Sequence, residues 1–384
     1  MALPGLEPYD EFMVGLIRKW DVAGAGLAVA RKDKLLLVRG YGLANKEKSA
    51  AVEPTSLFRL ASLSKTVTAV AVLQLVQDRR LKLDDRVLPI LGDMGPRPGR
   101  IADTRVHVIT VRHLLQHSGG FNRARSGDVV FLPGAADAAK RQGASLPPDC
   151  PTILRDTLER KLDFAPGERF AYSNVGYCIL GRVVERVAGI PYEVYARERV
   201  LAPAGAARMK VGRTLEAAEG EVTYYDYPGA KEAKAMPYGT FAVEMMDSYG
   251  GWIGAPVDYL RFILSIDGRR GTALLDRATV DEMNAPARLQ SAADDDEGHP
   301  EGASYGLGIR VRQLRTGANL FHFGSMPGTS TIAVRTADGF AWVAAFNGRP
   351  QDRSAFRSDL DRGLWTARRA VKKWPDGDLF GRSP

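Results

Sequence analysis

The chain has 384 residues, of which 45% are hydrophobic, 26% are charged and 8% are aromatic, and its formal net charge is +8. This length is enough for two or three domains with full hydrophobic cores. The composition excludes a disordered chain and a fibrous repeat, and no apolar run approaches the about 18 residues of a membrane-spanning helix. The basic residues are scattered without a nucleic-acid-binding motif, so we expect no nucleic-acid partner.

The N-terminal residues and the cysteines bear on the cellular compartment. Residues 1–10 contain neither a basic cluster nor an apolar run, so they do not resemble a secretory signal. We expect a cytoplasmic protein if the chain is full length, and a periplasmic or secreted one if a signal has been removed. Cys150 and Cys178 are the only cysteines. Without a Cys-x-x-Cys motif, we expect them to be buried free thiols.

The first fifth of the chain predicts a helix, a hairpin and a second helix. Apolar residues that recur on one face predict a helix over about 8–19. Two apolar runs, 26–31 and 35–39, flank a short polar turn and predict a β-hairpin. The segment 62–78 is apolar nearly all round, which is typical of a helix buried between layers.

The middle of the chain, to about residue 240, predicts mainly helices and long loops. A short helix is expected over 110–115, and further helices are expected over 174–188 and 192–201. Gly189 would end the helix over 174–188. The segment 122–151 is rich in Gly, Pro, Ala and charge, and it predicts a loop or lid.

The last third combines strands and helices. A helix begins at Pro256, where proline suits the first turn, and another is expected over 354–372. The acidic run 294–297 predicts a solvated loop. Three strands are predicted: 307–314, 329–334 and 340–346. With strands near both ends and helices between them, the order fits one antiparallel sheet with an inserted helical domain.

The strongest local signal for chemistry is a serine followed by a lysine one helical turn later. Ser62 lies where the buried helix begins, and Lys65 lies on the same face. A serine hydroxyl needs a nearby base to act as a nucleophile, and a desolvated lysine amine can serve. The helix start also favours negative charge at the serine. Alone, this spacing occurs by chance in most proteins of this length, and it would favour an N-cap serine beside an exposed lysine.

Two later segments accompany this pair. One contains Tyr172-Ser-Asn174, and the other contains His322-Phe-Gly324 just ahead of a predicted strand. In this order the three segments resemble the serine β-lactamase and penicillin-binding-protein family, in particular its branch of class C β-lactamases, D-Ala-D-Ala carboxypeptidases and family VIII esterases. Further segments that resemble the family are Thr110–Gly120, Gly250-Gly-Trp252 and Tyr305-Gly-Leu-Gly308. The resemblance covers roughly residues 10 to 350.

The resemblance implies a role for each matching residue. Ser62 would be the nucleophile that forms an acyl-enzyme, and Lys65 would accept its proton or hold a neighbouring base deprotonated. Tyr172 would move protons between nucleophile, leaving group and water. Asn174 would bond the acyl chain or Lys65. The backbone N–H groups of Ser62 and Ser325 would form the oxyanion hole, where each donor is typically worth about 3–4 kcal/mol in the transition state.

The third motif departs from that of β-lactamases, which begins with lysine. His322 and Gly324 would still bind substrate, but a histidine is mainly neutral at pH 7 and holds a carboxylate weakly. This favours neutral esters or amides over strong β-lactam hydrolysis. Arg310 or Arg312, on a neighbouring strand, could supply the missing charge.

The resemblance therefore implies an α/β (α+β) fold of the β-lactamase/transpeptidase-like kind. A sheet domain would comprise residues 1–75 and 241–384, a mostly helical domain residues 76–240, and the active site the cleft between them. We expect a serine hydrolase, foremost a family VIII-type carboxylesterase for a small-molecule ester or amide, without metal or cofactor. The alternatives are a D-alanyl or D-amino-acid peptidase, a weak β-lactamase, and a catalytically silent binding or scaffold homologue.

Three other patterns receive different interpretations. Ser304 satisfies Gly-x-Ser-x-Gly, but that motif requires a strand before it and a helix after it, and neither is predicted. His113 and His117 could share a helix face as metal ligands do, yet no third ligand is evident, so we expect them to hold the loop that follows. A group of tyrosines could line an acyl pocket or pack on the core: Tyr224, Tyr225, Tyr227, Tyr238 and Tyr249.

Overall fold

The computed structural model describes residues 1–227, 236–239, 241–291 and 302–381. The helices are α1 (Glu7–Lys19), α2 (Ser64–Gln77), α3 (Val87–Leu91), α4 (Val111–Leu115), α5 (Arg123–Ser126), α6 (Gly134–Gln142), α7 (Cys150–Leu158), α8 (Asn174–Ala188), α9 (Tyr192–Tyr195), α10 (Met236–Gly239), α11 (Pro256–Ser265), α12 (Arg277–Asn284) and α13 (Arg353–Ala370). Short 3₁₀ turns span Ala61–Leu63, Gly92–Met94, Thr104–Val108 and Val243–Met246, and a π-helical turn spans Ala196–Leu201.

The strands form two sheets. They are β1 (Gly24–Arg31), β2 (Lys34–Asn45), β3 (Ala50–Ala51), β4 (Phe58–Arg59), β5 (Lys210–Val211), β6 (Trp252–Gly254), β7 (Ser304–Tyr305), β8 (Arg310–Leu314), β9 (Gly317–Met326), β10 (Thr329–Arg335) and β11 (Phe340–Phe346). The large sheet has eight antiparallel strands in the order β3-β2-β1-β11-β10-β9-β8-β7, and the small sheet has the order β4-β6-β5. β1 lies near the start of the chain and β11 near its end, and these two strands pair. The N-terminal and C-terminal parts of the chain therefore build one sheet, which confirms the predicted fold class.

Helices cover both faces of the large sheet. Side chains alternate along β11, as the period of two of a strand requires. Trp342 and Ala344 pack with the apolar faces of α1 and α13, whereas Ala341 and Val343 belong to the core that contains α2 and α11. The predicted burial of the second helix is confirmed, because α2 is buried from Ser64 to Leu73. This packing fixes the start of α2 beside the sheet.

The secondary structure predicted from the sequence is wrong over one segment and incomplete over another. The segment 122–151 contains α5 and α6 and begins α7, since its alanines favour helix and Ala135, Ala138 and Ala139 form a buried face. His322 does precede the predicted strand 329–334, which is β10, but it lies within a further strand, β9, that the sequence analysis missed. The small and polar residues of β9 have low strand propensity, but pairing with β8 and β10 outweighs it.

Two expectations from the sequence are not tested by the fold. The acidic run 294–297 falls outside the described residues, and the division of the chain into 1–75 with 241–384 and 76–240 stays a prediction. Among the described residues, every helix is too short or too polar to traverse a lipid bilayer.

The two cysteines form a disulfide, so the prediction of free thiols is wrong. Cys150 begins α7 and Cys178 lies in α8, with their Cα atoms 6.1 Å apart and both side chains buried. The sequence separation of 28 residues gave no sign of this contact. It arises because α7 and α8 pack side by side.

The disulfide is expected to stabilise the fold by restricting the unfolded chain. Closing a loop of 28 residues is worth about 3–4 kcal/mol in a chain-entropy treatment. Replacing both cysteines by alanine should lower the free energy of unfolding by about that amount, measured by urea denaturation under non-reducing conditions. The control is wild-type protein treated with a reductant, which should unfold with the same midpoint as the double variant. Two alkylatable thiols in the unfolded, unreduced wild type would contradict the bridge.

Candidate active site

Ser62 lies in a sharp turn between a strand and a buried helix. β4 ends at Arg59, the N–H of Leu60 donates to the carbonyl of Trp252 at 2.8 Å, and Ser62 follows in the 3₁₀ turn that continues into α2. Ala61 has a φ of +50°, a conformation that costs a non-glycine residue about 1–2 kcal/mol. The packing of β4 and α2 therefore holds the serine in a conformation that the local sequence does not favour.

Lys65 is fully buried, and three oxygen atoms surround its amine. Nζ lies 3.2 Å from Ser62 Oγ, 2.7 Å from Asn174 Oδ1 and 2.8 Å from the carbonyl oxygen of Tyr249. Burial of an amine is costly unless it is hydrogen-bonded. The three partners come from α2, the start of α8 and the segment before β6, so the predicted convergence of Ser62, Lys65 and Asn174 is present.

Asp128 completes this network, and the sequence analysis had placed it only in a candidate lid. Asn174 Nδ2 donates to Asp128 Oδ2 at 2.7 Å, and Arg123 Nη1 lies 3.8 Å from the same oxygen. A carboxylate only accepts hydrogen bonds, so Asp128 turns the amide oxygen of Asn174 towards Lys65. Burial raises the pKa of Asp128, and Arg123 opposes that shift. In the sequence, the one sign of a role for Asp128 was that it is an acidic residue in a segment rich in Gly and Ala.

Tyr172 packs against Lys65 within an aromatic cluster. Lys65 Nζ is 4.9 Å from the centre of the Tyr172 ring, and the Arg123 guanidinium is 5.1 Å from it. The His117 ring is 4.2 Å from the Tyr172 ring, and the Tyr305 ring is 6.4 Å away. The structure thus brings the third predicted catalytic residue to the same amine.

The two histidines of the Thr110–Gly120 segment hold local structure. His113 Nδ1 accepts from the N–H of Thr110 in a capping box at the start of α4. His117 Nδ1 accepts from the N–H of Ser173 at 3.1 Å, and its carbonyl accepts from the N–H of Ala171. Burial, with the charge of Lys65, lowers the pKa of His117 well below its ordinary value, so this ring is neutral. His117 thereby fixes the backbone on both sides of Tyr172.

His322 lies behind Tyr172 and is 2% exposed. Its Nδ1 contacts the carbonyl oxygen of Phe323 at 2.7 Å, and its Nε2 contacts the hydroxyl of Tyr305 at 2.9 Å. Since a carbonyl only accepts, Nδ1 carries a proton, and Nε2 shares a hydrogen bond with the Tyr305 hydroxyl. The His322 ring is 6.4 Å from the Tyr172 ring. This position supports Tyr172 from behind, and substrate binding by His322 stays a prediction.

Gly324 lets β9 approach the Ser62 turn closely. A Cβ atom at this position would lie 2.2 Å from Thr331 Oγ1 and 2.7 Å from the carbonyl oxygen of Leu60. Thr331 Oγ1 itself donates to that carbonyl at 3.0 Å, which joins β10 to the turn. The next residue, Ser325, therefore reaches the cavity that Ser62 lines.

A cavity of about 400 Å³ opens beside Ser62, and Asn174, Tyr249 and Ser325 also line it. Its volume lies within the range of small-molecule sites. Ser62 and Asn174 are therefore accessible from this cavity, whereas Lys65 and Tyr172 are buried and absent from its described lining.

The positive charge on this lining comes from an unexpected place. Arg123, Arg349 and Arg353 line the cavity; Arg123 lies beside Asp128, and Arg349 Nη2 pairs with Asp226 Oδ2 at 3.1 Å. Arg310 and Arg312, which the sequence suggested as compensating cations, are absent from the described lining, and Arg310 is buried. The reason is the direction of the side chains along β8. They alternate between the two faces of the sheet, and the sequence alone could not show which face meets the cavity.

Comparison with known proteins finds relatives that match part of this chain, and two of them are described here. A 143-residue segment is 36% identical to the probable fimbrial assembly protein FimD (serogroup H1) of Dichelobacter nodosus, covering 37% of this chain and 32% of FimD. A 194-residue segment is 34% identical to the esterase EstB of Burkholderia gladioli, covering 49% of this chain and 47% of EstB. These matches span a third to a half of each relative's length.

Whole-chain similarity appears in the fold and in the family model. The D-amino acid amidase of Ochrobactrum anthropi SV3 superimposes with a TM-score of 0.75 at 21% identity, over 97% of this chain and 100% of the amidase. This likeness concerns the fold. The family model described as Beta-lactamase matches residues 11–363, and this chain therefore belongs to the beta-lactamase family, as its three motifs predicted.

Proposed function

We propose that this protein is a serine hydrolase that cleaves esters of small carboxylic acids through an acyl-enzyme on Ser62. The observation that carries the proposal is the contact of Ser62 Oγ with a buried amine, Lys65 Nζ, at 3.2 Å beside an open cavity. A hydroxyl next to a desolvated amine is the arrangement that nucleophilic catalysis requires. Membership of the beta-lactamase family and the similarity to an esterase support the same reaction class.

The contacts of Lys65 suit proton transfer in both directions. The attack requires the neutral form of Lys65, in which Nζ can donate to Asn174 Oδ1 and the Tyr249 carbonyl and use its lone pair to accept the proton of Ser62 Oγ. When Ser62 attacks the substrate carbonyl, its proton passes to Nζ, and the resulting ammonium has three acceptors for three N–H groups. Neither state leaves a buried polar group unbonded, so little reorganisation opposes the transfer.

Tyr172 is assigned the second half of the proton path. Its ring packs against Lys65 Nζ, and we assign to its hydroxyl the relay of the proton to the leaving alcohol as the bond between carbonyl carbon and alkoxy oxygen breaks. Water then attacks the acyl-enzyme, gives up a proton along the same path, and releases the carboxylic acid and Ser62. The His117 contacts hold Tyr172 in place for both steps.

The oxyanion formed at each attack is assigned to the N–H groups of Ser62 and Ser325. Both residues line the same cavity, because Gly324 lets β9 pack against the Ser62 turn. One such donor is worth about 3–4 kcal/mol in the transition state.

The position of His322 favours esters over substrates that must be held by a carboxylate. Its ring is buried, and both ring nitrogens contact protein atoms, Phe323 O and Tyr305 Oη. The residue at the position of the family's lysine thus directs both ring nitrogens at protein atoms and is absent from the described lining of the Ser62 cavity. D-Alanyl peptides and β-lactams, which carry a carboxylate, are expected to be poorer substrates than p-nitrophenyl acetate.

Ser62→Ala is expected to abolish labelling by a fluorophosphonate probe and to lower kcat for p-nitrophenyl acetate at least about a thousandfold. The matched control is Ser304→Ala, which removes the serine of the Gly-x-Ser-x-Gly sequence and should label as the wild type does. Labelling is measured by gel fluorescence and turnover by p-nitrophenol release. Equal labelling of wild type and Ser62→Ala would remove Ser62 from the site, and failure of both proteins to label would favour a silent binding homologue.

Tyr172→Phe should slow turnover by about a hundredfold to ten-thousandfold, the usual contribution of a positioned proton donor. The fold should persist, since the ring and its packing remain. Tyr177→Phe is the control from the same aromatic cluster: it removes a hydrogen bond to the Leu115 carbonyl and should lower Tm while kcat changes little. An unchanged kcat in Tyr172→Phe would exclude its role in proton transfer.

Asp128→Asn should lower kcat about tenfold or more, because an asparagine no longer forces the amide oxygen of Asn174 towards Lys65. Charge-assisted hydrogen bonds of this kind contribute about 1.5–3 kcal/mol. Asp137→Asn on α6, at an exposed position, is the control and should retain wild-type kcat. Steady-state kinetics with p-nitrophenyl acetate provides the measurement. A variant with wild-type kcat would show that Asn174 keeps its orientation without Asp128.

A further inference from the structure

Arg123 places a positive charge beside the residues that hold Lys65. Its Nη1 atom lies 3.8 Å from Asp128 Oδ2, and its guanidinium lies 5.1 Å from the centre of the Tyr172 ring. The side chain is 18% exposed and lines the Ser62 cavity. The proton path assigned to Ser62, Lys65 and Tyr172 makes no use of this charge.

The short helix α5 is anchored so that Arg123 stays at the cavity. Asp163 accepts from the N–H of Asn122 at 2.7 Å and from the hydroxyl of Ser126 at 2.5 Å. The side chain of Asn122 caps the helix by accepting from the N–H of Ala124 at 3.0 Å. Because Asn122 precedes the helix and Ser126 ends it, these contacts fix both ends of α5. The guanidinium is therefore held beside the site rather than released into solvent.

Titratable and polar groups from four elements face the Asp128 carboxylate. They are Arg123 of α5, Asn174 of α8, Lys65 of α2 and Tyr249 of the segment before β6. When the serine attacks, Lys65 is neutral and provides no charge. An arginine keeps its proton throughout the pH range of folded proteins. Among these groups, Arg123 is therefore the cation that balances Asp128 during the attack.

The charge of Asp128 controls the direction of the Asn174 amide. A carboxylate only accepts, so ionised Asp128 binds Nδ2 of the amide and leaves Oδ1 towards Lys65. A protonated Asp128 has a hydroxyl that donates, and the amide can then turn over to accept it with Oδ1. Nδ2 would donate to the lone pair of Lys65 Nζ, and that lone pair would no longer be open to the proton of Ser62. Protonation of Asp128 is thus expected to stop the attack.

Burial and Arg123 act on Asp128 in opposite directions. Burial raises the pKa of Asp128, and the positive charge of Arg123 is the largest influence that lowers this pKa, ahead of the hydrogen bonds from Asn174 and from the N–H of Val130. Without Arg123 the carboxyl would take up a proton at a higher pH. The charge on α5 therefore widens the pH range in which Asp128 stays ionised.

We propose that Arg123 is a positioning residue for the hydrolase reaction. Its permanent positive charge keeps Asp128 as a carboxylate, which holds the amide oxygen of Asn174 towards Lys65. The lone pair of that amine then stays open to the proton of Ser62. This rests on the proposed hydrolase function. Arg123 acts through Asp128 and needs no contact with the substrate.

The first test measures kcat/KM for p-nitrophenyl acetate against pH. Activity requires ionised Asp128, so it is present above the pKa of Asp128 and is lost as the pH falls through that pKa. Arg123→Met keeps the length of the side chain and removes its charge, so the acidic limb should move to higher pH by at least about one unit. Arg123→Lys keeps a positive charge and should return the limb towards that of the wild type. Arg125→Met, at an exposed position of α5 and outside the described cavity lining, should leave the limb unchanged.

A double-variant cycle separates an effect through Asp128 from a direct effect on Lys65. The attack also requires that Lys65 lose its proton, and a nearby cation favours that loss. If Arg123 acts through Asp128, adding Arg123→Met to Asp128→Asn should change kcat/KM by less than about twofold at any pH. Additive effects in the double variant would overturn the proposal, because they would show that Arg123 acts on another group.

Chemical rescue tests whether the guanidinium itself is required. At a pH below the acidic limb, Arg123→Ala should lower kcat/KM about tenfold, since a displacement of one pH unit changes the ionised fraction by about that factor. Millimolar ethylguanidinium should restore most of the loss and should leave Arg125→Ala unchanged. Absence of rescue, together with an acidic limb at the wild-type pH, would assign Arg123 a structural role only.

A further measurement does not depend on turnover. NMR of the Ser62→Ala protein, labelled at its aspartate carboxyl carbons, follows the titration of Asp128, whose signal is identified by its loss in Asp128→Asn. Adding Arg123→Met should move this titration to higher pH. If it does so while no ester is hydrolysed, the proposed function fails and the action of Arg123 on Asp128 stands. If esters are hydrolysed and the titration of Asp128 does not respond to Arg123→Met, the role of Arg123 is overturned and the proposed function stands.

Discussion

The site depends on one buried amine that three separate parts of the chain must satisfy. Lys65 has no exposed surface, and its hydrogen bonds go to Ser62, Asn174 and the Tyr249 carbonyl. Losing any one of them would leave a buried polar group unbonded, at about 1–3 kcal/mol. The amine therefore couples the start of α2, the start of α8 and the segment before β6, and it holds them at the spacing that the proposed chemistry uses.

The remainder of the fold supports this arrangement from several sides. β9 approaches the Ser62 turn because Gly324 leaves room for Thr331 and Leu60. The disulfide joins α7 to α8, the helix that begins with Asn174. Close to the Ser62 turn in sequence, the guanidinium of Arg59 binds carbonyl groups of two later segments of the chain. These contacts, each of ordinary strength, thus bring together site residues that lie far apart in the sequence.

The histidine of the third motif changes the character of the substrate cavity. His322 turns inward, where its Nε2 contacts the Tyr305 hydroxyl at 2.9 Å and its ring packs behind Tyr172. His117 completes this cluster and is neutral because of its burial. The positive charge at the cavity comes from Arg123 beside Asp128, from Arg349 paired with Asp226, and from Arg353. The inward placement of His322 favours uncharged substrates.

The sequence by itself determined the family, the antiparallel sheet built from both parts of the chain, and the residues around Ser62, because these follow from short motifs and from the periodicity of apolar residues. It did not reveal the disulfide, the strand that carries His322, or Asp128. Each of these depends on contacts between segments distant in sequence: α7 against α8, β9 between its neighbours, and the loop before α6 over Asn174. Only the tertiary structure decided which side of Tyr172 receives His322 and which cation lies beside Asp128, because side-chain direction is set by packing between elements and not by local pattern.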